Sequence, residues 1–222
     1  MPKRSIVNKN KLWIMKENVA KLLLDVGCVK ISPSKPFTYA SGLKGPIYCD
    51  NRKILSHPKS RAEIVGNLKE LVVSLDLDFD HFAGLATAGI PHAAFLAHEL
   101  NKSMVYVRSK PKGHGKGNQV EGDYKEGDKV LLVEDLVNQA SSLVDAVNGV
   151  KKEGLEVVGC VCIVDYQMDA AKKRLEDMGI KLFSLTNFEN LVKVLNEKSQ
   201  LTEQENELLI SWHKDPKNWE CI

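Results

Sequence analysis

Two adjacent carboxylates, Glu134 and Asp135, follow the apolar run Val130–Val133 and precede the polar stretch Asn138-Gln139-Ala140-Ser141-Ser142. A helix-like run, Leu143–Lys152, comes next. A buried strand that ends in acids and turns into a helix start suits a sugar phosphate. The carboxylates accept hydrogen bonds from ribose hydroxyls, and unpaired N–H groups at the helix start receive a phosphate.

Ala83-Gly84-Leu85-Ala86-Thr87-Ala88-Gly89-Ile90-Pro91 repeats the pattern of strand, small-residue loop and helix start. Pro91 sits in the first helical turn, where its missing N–H costs nothing. Small residues let a ligand approach the backbone, and a helix N-terminus favours an anion. Taken alone, such a turn is common. Beside the acidic strand end, it points to a ligand with two separate phosphate groups.

Between Arg108 and Glu121 the chain carries four fixed positive charges, one histidine and no acid, with three glycines among them. A solvated basic loop and a nucleic-acid contact both compete with a lid over a polyphosphate. No aromatic residue interrupts the basic loop, which weakens the nucleic-acid reading. A lid is favoured, because closing expels water and brings cations onto developing negative charge. The segment Phe37-Thr38-Tyr39-Ala40-Ser41-Gly42 offers aromatic rings to wall a flat heterocycle, although alone it also fits an ordinary hairpin.

These loops need a scaffold, and the periodicity supplies one. Trp13–Val26 has helical spacing in Ile14, Val19, Leu22, Leu23 and Val26, and the Gly- and Pro-rich stretch 32–50 predicts a loop or hairpin. Beyond Ser56, helices at Pro58–Leu71, Ile90–Leu100, Ser142–Lys152, Ala170–Met178 and Phe188–Leu195 alternate with short apolar runs. Those runs, His81–Leu85, Met104–Val107, Lys129–Val133, Val157–Val164 and Lys181–Leu185, read as strands. Strands separated by helices of this size imply an α/β domain, a mostly parallel sheet covered on both faces. Ligands on such sheets sit at the carboxyl ends of the strands. The tail carries Leu201-Thr202-Glu203-Gln204-Glu205, a capping box, ahead of Leu208, Leu209, Ile210 and Trp212. A terminal helix packed on the body or on a second subunit is expected there.

The 222 residues suit one domain with small additions; 43% are hydrophobic, 27% are charged, and the net charge is +2. The near-neutral balance gives no case for nucleic-acid binding, and no apolar run approaches the ~18 residues that span a bilayer. The basic start Met1-Pro2-Lys3-Arg4 leads into no apolar stretch, which argues against a secretory signal. Five cysteines, Cys28, Cys49, Cys160, Cys162 and Cys221, form no metal-ligand pattern and fit a reducing cytoplasm.

The chain carries, in this order, Phe37-Thr38-x-x-Ser41-Gly42, Pro46-Ile47-Tyr48-x-Asp50-x-Arg52, Thr87-Ala88-Gly89-Ile90-Pro91, Arg108-x-x-x-Lys112-x-His114-Gly115 and Val133-Glu134-Asp135. In these motifs it resembles the orotate phosphoribosyltransferase family. Their order and spacing agree from about residue 20 to 195. The resemblance implies a type I phosphoribosyltransferase fold: a mostly parallel central sheet flanked by helices, with a small N-terminal hood and a C-terminal helix. One domain over 1–222 would divide into helix and hood (1–55), core (56–196) and C-terminal helix (197–222).

The implied reaction moves the phosphoribosyl group of 5-phosphoribosyl-1-diphosphate (PRPP) to N1 of orotate, giving orotidine 5′-monophosphate and pyrophosphate. Mg²⁺ would ride on the diphosphate of PRPP rather than in a protein site. The resemblance further implies a cytoplasmic homodimer in which lid residues 108–117 act in trans, with Arg108, Lys112 and His114 clamping pyrophosphate. Thr87, Ala88 and Gly89 would form the pyrophosphate loop in cis, and Glu134 and Asp135 would hold the ribose hydroxyls. Asp135 is counted with the three lid residues as catalytic. Asn138, Gln139, Ala140, Ser141 and Ser142 would take the 5′-phosphate. Phe37, Thr38, Tyr39, Asn138 and Tyr166 would face the base.

One departure stands out. Family members usually follow the acidic pair, after two apolar residues, with Thr-Thr-Gly-Gly-Ser or a near variant; here only Ser142 remains. Alanine and serine at 140 and 141 add Cβ atoms where backbone should wrap a phosphate, and remove easy access to positive φ. Amides at 138 and 139 replace compact hydroxyl donors and bring carbonyls toward an anion. Many members also carry arginine after the aspartate of the next strand, where this chain has Asp165-Tyr166-Gln167. A non-catalytic relative that binds a nucleotide or base, and a phosphoribosyltransferase for another base, stay open as alternatives.

Overall fold

The computed structural model describes residues 9–39, 42–111 and 118–220. Helix α1 (Lys9–Asp25) leads into a small hood. Two antiparallel pairs make it: β1 (Val29–Ile31) with β4 (Ile47–Cys49), and β2 (Phe37–Thr38) with β3 (Lys44–Gly45). The predicted hairpin region is therefore two short ribbons. A 3-10 turn, Asn51–Ser56, follows, and then α2 (Pro58–Leu75), with proline at its start.

The core alternates β5 (His81–Leu85), α3 (Gly89–Leu100), β6 (Ser103–Val107), β7 (Val120–Glu121) and β8 (Lys129–Val137). After these come α4 (Ser141–Lys152), β9 (Glu156–Asp165), α5 (Asp169–Met178), β10 (Leu182–Asn187), α6 (Phe188–Glu197) and α7 (Glu203–Lys214). The sheet order is β10-β9-β8-β5-β6-β7, parallel except where β7 pairs with β6. This is the expected α/β class with a mostly parallel sheet.

The chain runs from β5 to β6 on one side, then crosses back to place β8 on the other side of β5. The carboxyl ends of β5 and β8 therefore flank a topological switch point, where open α/β sheets form their ligand crevice. Val130, Leu131, Leu132 and Val133 are fully buried in the sheet centre. Burying side chains of this size contributes about 1.5–3 kcal/mol each, so the strand that carries the acids is firmly anchored.

Three elements differ from expectation. β8 runs to Val137, four residues past the predicted end, because β9 continues to pair with it through Glu134↔Cys162, Leu136↔Val164 and Val137↔Asp165. The acids broke the apolar pattern without ending the strand. β7 was not expected; two residues give too little alternation to read. On α1, Val19, Ala20 and Leu23 are buried, whereas Ile14 is 52% exposed and lies off the packed face.

The capping box at Thr202 and Glu205 is present, and α7 packs on this chain's own body through Leu209 and Trp212. No helix among the described residues is long and apolar enough to cross a membrane.

Candidate active site

The two phosphate-type loops meet at the switch point. Gly89 opens α3 directly against β8: a Cβ there would collide with the carbonyl oxygen of Val133 and lie 3.2 Å from Glu134 Cα. Only glycine allows this approach. It seats Thr87, Ala88 and Gly89 beside the acidic pair, with Thr87 exposed. The Ala86–Thr87 peptide is cis.

The carboxylates are not equivalent. Glu134 turns back, and its Oε1 accepts the Asp135 N–H at 2.9 Å. Burial first, and the Asp135 charge second, push the Glu134 carboxyl well above the ordinary glutamate range. Glu134 therefore favours its protonated form. The Asp135 carbonyl accepts from Asn51 Nδ2 at 2.8 Å, and Asn51 Oδ1 receives the Cys49 thiol at 3.1 Å. Asn51 is fully buried and clips the hood to the acidic strand end.

The altered loop keeps one feature that its sequence argued against. Ala140 is the residue before α4 and has φ 57° and ψ 17°, so the left-handed turn is made without glycine. Easy access to positive φ is gone with the glycine, but the conformation itself is kept. The turn persists on an alanine, at a cost of roughly 1–2 kcal/mol. Arg174 on α5 donates to the Gln139 carbonyl and holds the loop from outside. No side chain caps α4, and Ser141 and Ser142 are exposed at its start. That leaves the helix N-terminus open to an anion.

Arg108 follows β6, one strand beyond β5. Its NH1 lies 3.3 Å from Glu121 Oε1, while its buried Nε has no partner. The neck of the basic loop is closed: Arg108 N donates to Gln119 O at 2.8 Å, and Gln119 Nε2 donates to Arg108 O at 3.0 Å. Lys112 and His114 lie outside the described residues.

In the hood, Phe37 and Tyr48 form a tilted ring pair with centroids 5.6 Å apart, and Thr38 is exposed on β2. Tyr39 gives its hydroxyl to the Ile47 carbonyl and packs on Trp212 at 6.1 Å. Burial pushes that phenol far above its usual range.

Tyr166 needs correcting as a base-facing residue. It is 1% exposed, and its ring stands edge-on to Phe188 and Trp212. It serves as packing beneath the site. Sequence reasoning missed the brace above it: Trp212 Nε1 donates to Lys44 O at 3.2 Å, and His213 Nε2 donates to Tyr166 O at 2.6 Å. Asn51, Arg174 and Trp212 gave no motif signal, since each acts through a main-chain carbonyl. His92 did carry one, as the single polar residue on a buried helix face.

Among the described residues, the buried side-chain atoms without hydrogen-bond partners belong to His92, Arg108, Asn138 and Thr186. Arg108 and Asn138 directly follow the ends of β6 and β8, and Thr186 lies at the end of β10. Buried polar groups are normally paired. Arg108 and Asn138, at the ends of the two strands that flank β5, put two unpaired polar groups beside the switch point, where a polar ligand would pair them. Among the described residues, no group of three or more His, Cys, Asp or Glu is arranged to hold a metal ion.

The phosphoribosyl transferase domain model matches residues 50–196. An orotate phosphoribosyltransferase of Bacillus cereus is 44% identical over 204 residues, covering 92% of this chain and 97% of that protein. The chain belongs to the orotate phosphoribosyltransferase family. Its fold superposes on orotate phosphoribosyltransferase from Aeropyrum pernix with a TM-score of 0.71 and 29% identity, over 83% of this chain and 99% of that one. It also superposes on the Mycobacterium tuberculosis orotate phosphoribosyltransferase in complex with PRPP, with a TM-score of 0.61 and 26% identity, over 80% of this chain and 98% of that one. Family membership places the switch-point crevice in the family's matched domain, and α7 beyond it.

Proposed function

We infer that this chain transfers 5-phosphoribosyl from PRPP to N1 of orotate, releasing pyrophosphate and forming orotidine 5′-monophosphate in pyrimidine nucleotide synthesis. The observation that carries this reading is the contact of Gly89 with Val133 and Glu134, which sets an anion loop against a hydroxyl-binding acid pair. The family relation over 92% of the chain supports it.

The chemistry follows from where charge develops. Breaking the C1–O bond leaves positive charge on the ribose ring and negative charge on pyrophosphate. Asp135 near the ring and the cations Arg108, Lys112 and His114 on the leaving group both favour the transition state over the ground state. Thr87, Ala88 and Gly89 hold the pyrophosphate, and the Asn138–Ser142 turn at the α4 N-terminus takes the 5′-phosphate. Glu134 and Asp135 hold the ribose hydroxyls. Phe37, Thr38 and Tyr39 wall the base, and the unpartnered Asn138 Oδ1 offers it an acceptor. Closing the lid excludes the water that would hydrolyse a ribosyl cation. Mg²⁺, when bound, would be held mainly by the PRPP diphosphate and would supply positive charge to the leaving group, in keeping with that cation's use of few protein ligands.

The reading includes a cytoplasmic homodimer with the lid acting in trans, and one domain of helix and hood (1–55), core (56–196) and C-terminal helix (197–222). PRPP-dependent loss of orotate absorbance with purified protein and Mg²⁺ is the test; absence of turnover at saturating PRPP overturns it. The strained Ala140 turn favours one second reading, a relative that binds PRPP without turnover. Calorimetry showing PRPP binding alongside that silent assay would select it.

A further inference from the structure

His92 lies three residues after Gly89 on α3, so both occupy one face of the helix. Gly89 fixes that face against the acidic end of β8. His92 is 1% exposed, and neither ring nitrogen has a hydrogen-bond partner. Its neighbours on the face, Ala93, Leu96 and Ala97, are buried and apolar. Packing alone would therefore put a hydrocarbon here. A neutral imidazole offers one donor and one acceptor, and burying both unmet is costly unless a further state uses them.

Burial pushes the imidazole below its ordinary range, against the pull of the Asp135 charge. His92 is thus a neutral donor, and the carboxylate whose field reaches it is Asp135. Glu134 already spends one oxygen on the Asp135 amide. The Asp135 carboxyl shares a side-chain hydrogen bond with Glu134, which leaves it lone pairs for a second donor.

We propose that His92 is a positioning residue for Asp135, donating its ring N–H to that carboxylate when the ribose hydroxyls are bound and so aiming the remaining lone pairs at the sugar. This rests on the phosphoribosyl-transfer reading. The donor needs no proton uptake, so it works throughout the range in which the imidazole is neutral.

The test uses the whole protein with His92→Leu, His92→Asn and His92→Gln. Leucine should raise the KM for PRPP about 10–100-fold, the scale of one hydrogen bond to a charged group, and leave the KM for orotate unchanged. One of the two amide variants should recover most of the loss. The melting temperature without ligand should hold or rise in His92→Leu, since an unmet polar group is gone, while the rise produced by Mg²⁺ and PRPP should shrink. A wild-type KM for PRPP in His92→Leu overturns the proposal. So does a lowered ligand-free melting temperature with both KM values raised together. Should the wild type show no turnover, the transfer reading fails, and the PRPP-induced melting shift still decides the role of His92.

Discussion

Asn51 Nδ2 and the Asp135 carbonyl are joined at 2.8 Å across 84 residues of sequence, so the hood and the acid-bearing strand are one mechanical unit. Asn51→Ala should cost about 1–3 kcal/mol, because the Asp135 carbonyl loses its buried donor. Thermal melting measures that cost. The KM for PRPP should rise with it, since the Asp135 backbone then drifts. An unchanged melting temperature would detach the hood from the strand.

The left-handed turn at Ala140 predicts a gain by substitution. Ala140→Gly should stabilise the protein by up to about 1 kcal/mol, the relief of positive φ less the entropy of a freer unfolded chain. It should also lower the Kd for PRPP. Restoring residues 138–141 to Thr-Thr-Gly-Gly should lower it further, by about 10–100-fold for each regained charge-assisted bond. Calorimetric titration with PRPP reads both, and an unmoved affinity after full restoration refutes the account of this loop.

Glu134 predicts a pH signature. Its carboxyl titrates above the ordinary range in the folded state, so its protonated form contributes stability at low pH. That contribution fades as pH rises through the raised value. Glu134→Gln mimics the protonated form. Its melting temperature should match wild type in acid and exceed it increasingly toward alkaline pH. A constant offset across the range would contradict the assignment.

Arg108 should divide binding from catalysis. Arg108→Ala removes a cation expected on the leaving pyrophosphate, and kcat should fall about 100–1,000-fold. The KM for orotate should stay near wild type, because Arg108 stands at the end of β6 and the aromatic pair Phe37 and Tyr48 lies in the hood. Steady-state kinetics with both substrates varied gives the answer.

The sheet was readable because Val130–Val133, His81–Leu85 and Val157–Val164 are apolar runs of strand length between helical periods. Glu134, Asp135 and Gly89 were readable only together, since a glycine turn at a helix start is common and gained meaning from the acids at the neighbouring strand end. What escaped notice shares a different physics. Asn51, Arg174 and Trp212 bond to carbonyl oxygens of Asp135, Gln139 and Lys44, and a main-chain acceptor leaves no trace in residue identity. Tyr166 misled for the converse reason. Its place after Asp165, where many relatives carry arginine, drew it to the base, but Phe188 and Trp212, 22 and 46 residues onward, claim its ring. Ala140 shows that composition underestimates backbone tolerance where Arg174 and a helix hold a turn in place.

Trp212 reaches back 168 residues to the Lys44 carbonyl and closes over Tyr39 and Gly45, where a Cβ would lie 2.7 Å from its indole nitrogen. During synthesis the hood therefore leaves the ribosome long before its brace exists. The two hood ribbons stay unbraced while the sheet is being assembled, until α7 has emerged and docked.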